Sequence, residues 1–280
     1  MAEITAALVS QLRQMTNAGF MDCKRALTET KGDINLAVDV LRKKGMATAV
    51  KKAMRETKDG MIVQHIQPGA RVGVLVEINC ESDFVARNDV FGAFCEEATR
   101  TLAADPKADL ESARTAAVAK TGENIRISRL KRFEVSGNGM VAAYIHTGAK
   151  VGVLVEVGAG LESTVQRDEF KQLVRDITLQ IAAASPLAVS PDQLDPAAVE
   201  KEREIAREQV KNKPPAVIEK IVAGKLDKYY QTVCLLSQGF VKQNSEISMQ
   251  EYLSSVGKLL ADELTIRRFV RFQVGEAFSD

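Results

Sequence analysis

The residues best suited to chemistry in this chain are two carboxylates and an aromatic ring that follow a predicted strand. Glu81 and Asp83 stand two positions apart, and Phe84 comes directly after them. Paired carboxylates can serve as general acid and base, but neighbours at a strand end do not indicate a shared substrate. An exposed Phe beside an Asp could instead anchor a protein partner, with the ring in a pocket and the carboxylate competing for hydrogen-bond donors. Spacing alone favours a third interpretation, in which Phe84 is a core residue.

The rest of the sequence offers little material for catalysis. Gly224-Lys225 lacks the remainder of a phosphate-binding loop, and the glycine-rich stretches at 137–139 and 158–160 predict turns rather than a dinucleotide site. The chain has two histidines and four cysteines without metal-ligand spacing, which favours free thiols in a reducing cytosol. We therefore predict a protein that is not an enzyme and that holds neither a metal nor a cofactor. The cysteines are Cys23, Cys80, Cys95 and Cys234.

The composition is that of an ordinary globular protein. Its 280 residues are enough for two or three domains with a proper core. The 38 basic and 37 acidic residues nearly balance, so neither nucleic acid nor an acidic membrane is indicated as the main partner. No uncharged apolar run reaches the roughly 18–20 residues of a membrane helix, and the first residues do not have the order of a signal peptide. These features predict a cytoplasmic protein with no membrane partner.

The strand before Glu81 belongs to an internal repeat. Residues 69–78 (GARVGVLVEI) recur 79 positions later as residues 148–157 (GAKVGVLVEV). The copies diverge directly afterwards, where residues 79–87 (NCESDFVAR) face residues 158–166 (GAGLESTVQ). Two copies under the same folding demand should drift alike unless one has a further task. The loop of the first copy, which holds Asp83 and Phe84, is therefore the candidate functional site.

Each copy is predicted to be an α+β unit, with a three-stranded antiparallel sheet covered by helices. The third strand is duplicated too, because residues 132–135 (RFEV) match residues 271–274 (RFQV). An additional helix is predicted near 108–120 in the first copy. Alternating and helical spacings predict the other elements: strands at 61–66, 72–78, 125–135, 140–146 and 150–157, and helices at 88–104 and 169–184.

Before the repeat, the pattern predicts a small bundle of three helices. Thr5 can cap the first helix and Asp33 the third, while Lys31-Gly32 ends the second and Gly45 ends the third. Residues 42–58 are rich in positive charge. Such a run could contact RNA phosphates, but it more often marks a solvated linker that is partly helical.

The second copy has a long insertion between its helix and its third strand. Residues 196–233 are highly charged and carry apolar side chains at spacings near 3.5, which predicts an antiparallel helical hairpin. The hairpin could form a homodimer, bind another partner or pack only on itself, and the pattern does not decide between these alternatives. The predicted domains are a helical domain at 1–45, a basic linker at 46–58, a first core subdomain at 59–136 and a second at 137–280 that contains the hairpin.

Five segments match, in order, the motifs of one known family. They are residues 15–27 (MTNAGFMDCKRAL), 77–86 (EINCESDFVA), 122–125 (GENI), 238–241 (QGFV) and 271–276 (RFQVGE). On these motifs the chain resembles the bacterial elongation factor Ts family, whose members are nucleotide exchange factors for elongation factor Tu. The resemblance implies a ubiquitin-associated-like helical domain, a duplicated α+β core and an inserted helical hairpin. It also implies a role in translation elongation, without direct nucleotide binding by this chain.

The resemblance assigns a site for a protein partner. In the family an Asp-Phe pair inserts between helices of the G domain of elongation factor Tu, near its magnesium and phosphate site. Asp83 and Phe84 inherit that role, with Ser82 and Val85 beside them. Two other places are implied as further contacts. They are Gly122 and Glu123 in a nearby loop, and Phe20, Met21 and Lys24 in the helical domain.

The sequence departs from the family pattern at a few of these positions. The family often has Gly and Met at the positions of Asn17 and Phe20, and Thr at that of Ser82, where the hydroxyl is retained. Two alternatives to an exchange factor remain. One is a non-exchange binding module whose activity depends on residues 5–45 alone. The other is an RNA-associated translation accessory protein that uses the basic residues 43–52.

Overall fold

The chain forms two units in the computed structural model, which describes residues 4–16 and 18–276. Among these residues, no helix has both the length and the apolar character required to cross a bilayer. The first unit comprises the described parts of 1–63, 76–130 and 274–280, and the second comprises 64–75 and 131–273.

Three helices open the chain, as the spacing of its apolar residues predicts. Their buried side chains, which include Val9, Leu12 and Leu27, form a small apolar core. Asp33 caps the third helix, because its Oδ1 accepts a hydrogen bond from the Leu36 N–H at 3.0 Å. The helices are α1 (Ala6–Thr16), α2 (Phe20–Glu29) and α3 (Ile34–Lys52).

The first copy of the repeat contains a three-stranded antiparallel sheet with the strand order β1-β2-β3. Its middle strand is buried along its whole length. Apolar side chains of the helices, such as Phe91 and Val118, pack with Val76 and Ile78 of that strand. The elements are β1 (Asp59–Ile66), β2 (Val72–Cys80), α4 (Asp83–Ala86), α5 (Asp89–Ala104), α6 (Glu111–Thr121) and β3 (Arg126–Glu134).

The prediction that Gly45 ends the third helix is wrong. Helix α3 continues to Lys52 and brings Ala49 into the apolar core of the first copy. A Cβ at Gly45 would lie 3.2 Å from the Cβ of Ala119 in α6. The glycine therefore permits close approach of two helices instead of ending one. The domain boundaries that follow from the sequence stay predictions, and residues up to 52 of the expected linker are helical.

The second copy repeats the sheet in the order β4-β5-β6. The strands pair antiparallel, with Gly139 opposite Gly158 and Val151 opposite Gln273. The elements are β4 (Gly139–Ile145), β5 (Val151–Ala159), α7 (Glu162–Gln166), α8 (Asp168–Ala184), α9 (Pro196–Glu208), α10 (Pro215–Val233), α11 (Met249–Leu260) and β6 (Leu264–Gln273).

One helix of the second copy was not predicted. Helix α11 packs Leu253 and Val256 into the core. A capping box marks the start of α11, because the side chains of Ser248 and Glu251 each bond to the backbone N–H of the other. That Ser-x-x-Glu spacing is a signal the sequence carried.

The inserted hairpin is confirmed as α9 and α10. Ala206, Val222 and Leu226 are buried together, with Ile218 and Tyr230 packed against them. The apolar stripe of the insertion therefore packs within the hairpin. Homodimer formation through the hairpin stays a prediction.

Both middle strands bury a glutamate at the same position of the repeat. Glu77 lies 2.6 Å from a guanidinium nitrogen of Arg129, and Glu156 lies 2.7 Å from that of Arg268. Arg267 adds a second ion pair to Glu156 at 2.9 Å. Arg129 and Arg268 are equivalent in the repeated third strand. A buried carboxylate requires such partners, because an unpaired buried charge is costly.

Candidate functional site

The candidate site is a single helical turn that follows the buried strand β2. Ser82 has extended backbone angles, and its Oγ accepts a hydrogen bond from the N–H of Val85 at 3.4 Å. That bond caps the short helix α4, as serine often does. Asn88 then caps α5, because its Oδ1 accepts the N–H of Val90 at 2.8 Å. The chain thus passes from strand to turn to long helix, with a polar cap at each junction.

The turn points one large apolar side chain into solvent. Phe84 is 84% exposed, whereas its neighbours Val85 and Ala86 pack against the core of the first copy. The interpretation of Phe84 as a core residue is therefore wrong. Four residues are too few for an apolar periodicity to show which face is buried, so the spacing was uninformative here.

Asp83 stands beside the exposed ring with its carboxylate partly in solvent. One of its oxygens lies 3.3 Å from a guanidinium nitrogen of Arg87, one helical turn later. The Asp83 side chain is 46% exposed and that of Arg87 is 81% exposed. An ion pair in this setting contributes little to stability. The Asp83 carboxylate can therefore exchange Arg87 for another hydrogen-bond donor at a small cost in free energy.

The carboxylate of Glu123 holds the turn from behind. Its Oε2 accepts the N–H groups of Glu81 and Ser82, both at 3.0 Å, and its Oε1 accepts the Ser82 hydroxyl at 2.6 Å. The Ser82 hydroxyl thus donates to Glu123 while it accepts from Val85. Hydrogen bonds to a carboxylate are stronger than those between neutral groups. Glu123 therefore fixes both the strand end and the hydroxyl that caps the turn.

A second carboxylate makes the contact reciprocal. Oε1 of Glu81 accepts the N–H of Asn124 at 2.7 Å, and its other oxygen lies 3.5 Å from Arg55. The Asn124 side chain donates to the backbone oxygens of Ala53 and Arg55 at 3.3 and 2.8 Å. We call the group formed by Glu81, Ser82, Glu123 and Asn124 the clasp. It joins the turn after β2 to the loop before β3.

Gly122 lies next to the clasp, at the end of α6. It has a left-handed φ of 77° that terminates the helix, which glycine adopts without the penalty of a side chain. Its carbonyl oxygen accepts a hydrogen bond from Lys52 of α3. The residue is exposed, so it remains available to a partner.

The other predicted contacts lie on α2. Phe20 and Met21 are 47% and 65% exposed, and Lys24 is exposed one turn after Phe20. Their helix packs in the core of the three-helix bundle, separate from the core behind Phe84. Asn17, one of the departures from the family pattern, lies outside the described residues.

The turn after β5 in the second copy is held in a matching way. The two carboxylate oxygens of Asp262 accept the N–H groups of Gly160 and Leu161 at 3.1 and 3.0 Å. These residues follow β5 as Glu81 and Ser82 follow β2, at the repeat offset of 79. Asp262 also corresponds to Glu123, since 139 residues separate them, as they separate the two copies of the third strand. The sequence comparison missed this pairing because the two acids are different residues.

Asp262 shows the electrostatic effect of this arrangement. Burial raises its pKa, but hydrogen bonds from the Thr164 side chain and from backbone N–H groups, including that of Leu161, hold the pKa below its usual value. The charged form of the acid is therefore the one that the fold stabilises. Within residues 4–16 and 18–276, no cluster of His, Cys, Asp and Glu has the arrangement of a metal site.

Comparison with known proteins finds relatives along the whole chain. The family model described as Elongation factor TS matches residues 81–276. A protein named Elongation factor Ts from Symbiobacterium thermophilum is 43% identical, over 99% of this chain and 93% of its own length. Proteins of the same name from Nautilia profundicola and Lawsonia intracellularis are 40% and 37% identical. They align with 99% and 98% of this chain, and 94% and 99% of their own lengths are covered.

Proposed function

Because the chain belongs to the elongation factor Ts family, we propose that it is a guanine nucleotide exchange factor that binds elongation factor Tu·GDP and promotes GDP release. Its family makes it a translation elongation factor. The observation that carries the finer proposal is the Phe84 side chain, 84% exposed on a turn that its own chain holds in place. A large ring with no packing role in its own chain suits a pocket on a partner.

Exchange requires no bond chemistry from this protein. A G protein holds its diphosphate through loop amides and a bound magnesium ion. A factor that binds the nucleotide-free partner more tightly than the nucleotide-bound partner must, by linkage, weaken nucleotide binding by the same factor. The proposed role is therefore binding, and the protein is not an enzyme in the sense of making or breaking a covalent bond.

Asp83 and Phe84 have complementary parts in this proposal. The Phe84 ring inserts between helices of the G domain of elongation factor Tu and shifts groups that fix the magnesium ion. The Asp83 carboxylate leaves its exposed pair with Arg87 and takes hydrogen-bond donors of the partner. Loss of magnesium and phosphate contacts then releases GDP, and binding of the triphosphate expels the factor by the reverse of the same coupling.

The remaining site residues divide into contacts and supports. Gly122 and the α2 residues Phe20, Met21 and Lys24 are exposed, which suits further contacts with the G domain. Ser82 and Val85 are partly buried and bond or pack within their own chain, so their proposed part is to hold the turn.

Replacement of Phe84 by Ala tests the proposal. We expect release of fluorescent GDP from elongation factor Tu, followed by stopped flow, to slow roughly 30-fold, the size of a hot-spot loss. Unfolding by urea should be unchanged, because the ring is exposed. Leu161→Ala is the matched control, since Leu161 is 52% exposed on the turn of the second copy, and it should leave GDP release unchanged. Wild-type rates from Phe84→Ala would refute the assignment.

The RNA-binding alternative loses support from the contacts of its basic residues. Lys52 bonds to the carbonyl of Gly122, Lys44 pairs with Asp22, and Arg55 pairs with Glu81. These charges have partners in their own chain. Strong binding of RNA that weakens steeply with salt would nevertheless revive this alternative.

A further inference from the structure

We propose that Glu123 is a positioning residue for the exchange reaction, and that it acts through Ser82 on the direction in which Phe84 leaves the turn. This inference rests on the proposed function. The Glu123 carboxylate accepts hydrogen bonds from two N–H groups and one hydroxyl, which belong to Glu81 and Ser82 at the start of the turn that carries Phe84. Its hydrogen bonds are within its own chain, so it acts as a support of the turn.

The path from Glu123 to Phe84 is short and consists of hydrogen bonds. The Ser82 hydroxyl can cap the turn only when its proton points away from Val85. The Ser82 hydroxyl donates a hydrogen bond to Oε1 of Glu123 at 2.6 Å, which directs its proton away from Val85 and leaves its lone pairs for the Val85 N–H. Phe84 lies between the two ends of this cap. Loss of the carboxylate frees the hydroxyl to rotate and releases the start of the turn.

Comparison with the second copy distinguishes an effect on the position of Phe84 from an effect on the stability of the fold. Asp262 makes the same two backbone contacts with Gly160 and Leu161, but its turn carries Ser163 where the first carries Phe84. Removal of either carboxylate should therefore weaken the fold by a similar mechanism. Only removal of Glu123 should change GDP release.

The central experiment compares Glu123→Gln with Asp262→Asn. Both variants keep the shape of the side chain and replace one carboxylate oxygen by an amide NH2 group, which donates hydrogen bonds and cannot accept them. At saturating factor, we expect Glu123→Gln to slow the maximal rate of GDP release about tenfold, the loss of one charge-assisted bond. The half-saturating concentration should move much less. Asp262→Asn should retain the wild-type maximal rate.

A purely structural role would give a different result. It would reduce the folded fraction and so the apparent concentration of factor, while the saturating rate stayed at the wild-type value. That outcome, or an equal loss of rate in Asp262→Asn, would overturn the proposal. Glu123→Asp keeps the charge on a shorter side chain and should recover part of the rate. It also serves as the informative variant should Glu123→Gln not fold.

A double-mutant cycle identifies the route of the effect. If Glu123 acts through the ring, Glu123→Gln should slow GDP release no further in a Phe84→Ala background. Additive losses would show an independent contact and overturn the positioning role. A wild-type protein that fails to accelerate GDP release would refute the proposed function itself. Wild-type activity that falls with Phe84→Ala but not with Glu123→Gln would refute only this inference.

Discussion

At the end of β2, the carboxylate of Glu123 accepts hydrogen bonds from the backbone N–H groups of two successive residues. At the end of β5, the carboxylate of Asp262 does the same. Both middle strands also bury a glutamate against an arginine of the third strand. The turns differ in what they present, since Phe84 stands at the position of Ser163. The hydrogen bonds that hold the two turns are thus repeated. The exposed ring of Phe84 is the feature that only the first copy has, and the proposed function depends on it.

The turn that carries Phe84 also makes polar contacts that its counterpart in the second copy lacks. Glu81 accepts a hydrogen bond from the N–H of Asn124, so that each side of the clasp contributes a carboxylate. Its equivalent in the second copy is Gly160, which has no side chain to do so. Ser82 caps its turn through a hydroxyl, whereas Leu161 at the same position has none. The helical turn that has the candidate recognition residue is therefore the one with a side-chain cap, which α7 in the second copy lacks.

The largest effect should come from the apolar cores, of which each copy has its own. Phe91 and Phe170 occupy the same repeat position, and both are fully buried. Replacement of either by Ala should reduce the free energy of unfolding by about 3–5 kcal/mol, because it removes apolar contacts and leaves a cavity. Unfolding by urea, followed by circular dichroism, measures both losses. A large loss at one position with a small loss at the other would show that the cores are not equivalent.

An intermediate effect should come from the buried glutamates. Glu156→Gln should cost about 2 kcal/mol at pH 7, less than for a fully buried pair because Arg267 and Arg268 are partly exposed. Glu77→Gln should cost more, about 3 kcal/mol, because the Arg129 side chain is only 11% exposed. Urea unfolding of each variant, with the exposed Glu162→Gln as control, measures the losses. A loss of stability in only one copy would show that the buried glutamate–arginine pair does not have the same role in both.

The cost at Glu156 should also depend on pH. Burial raises the pKa of Glu156, but hydrogen bonds from Arg267 and Arg268 lower it by a larger amount. The pKa in the folded state therefore lies below the usual value. The ionised form therefore stabilises the fold above the pKa of the unfolded chain, about 4.3. That contribution is lost as the pH falls through the lower folded value. The stabilities of the wild type and Glu156→Gln should consequently approach each other as the pH falls from about 4.3 through the lower pKa of the folded state.

The smallest effect should come from moving the recognition residues to the other turn. Glu162→Asp with Ser163→Phe reproduces the Asp-Phe pair after β5, and as a surface change it should alter the free energy of unfolding by no more than about 0.5 kcal/mol. Placed in a Phe84→Ala background, it should leave GDP release slow, because Leu161 cannot cap the turn that would hold the new ring. Recovery of fast release would show that the clasp of the first copy is dispensable.

Much of the fold could be predicted because its signals are local. Alternation and helical spacing located the strands of both sheets and the hairpin, and the family resemblance is confirmed by the relatives. The end of α3 could not be predicted, because the glycine at position 45 is explained by a helix far away in the sequence. Helix α11 was overlooked although the capping box of Ser248 and Glu251 marked it.

The sequence predicted the position of the candidate site. It did not predict the hydrogen bonds that hold the turn or the exposure of Phe84. The divergence of the repeat and the family motifs pointed to Asp83 and Phe84. The exposure of Phe84 depends on which face of a four-residue turn meets the core, and no periodicity reports that. Glu123 was expected as a partner contact, and its bonds to Ser82 join residues 41 positions apart, which only the folded chain brings together.

The span of the clasp has a consequence for the order in which the chain folds. Glu123 cannot reach Ser82 until α5 and α6, which lie between them in the sequence, have folded back along β2. Closing so long a loop costs entropy before any of these bonds form. The turn that presents Phe84 is therefore expected to gain its final structure only when α5 and α6 have packed. A partly folded molecule would then lack an ordered turn around Phe84, so the ability to bind a partner would arise only with the completed fold.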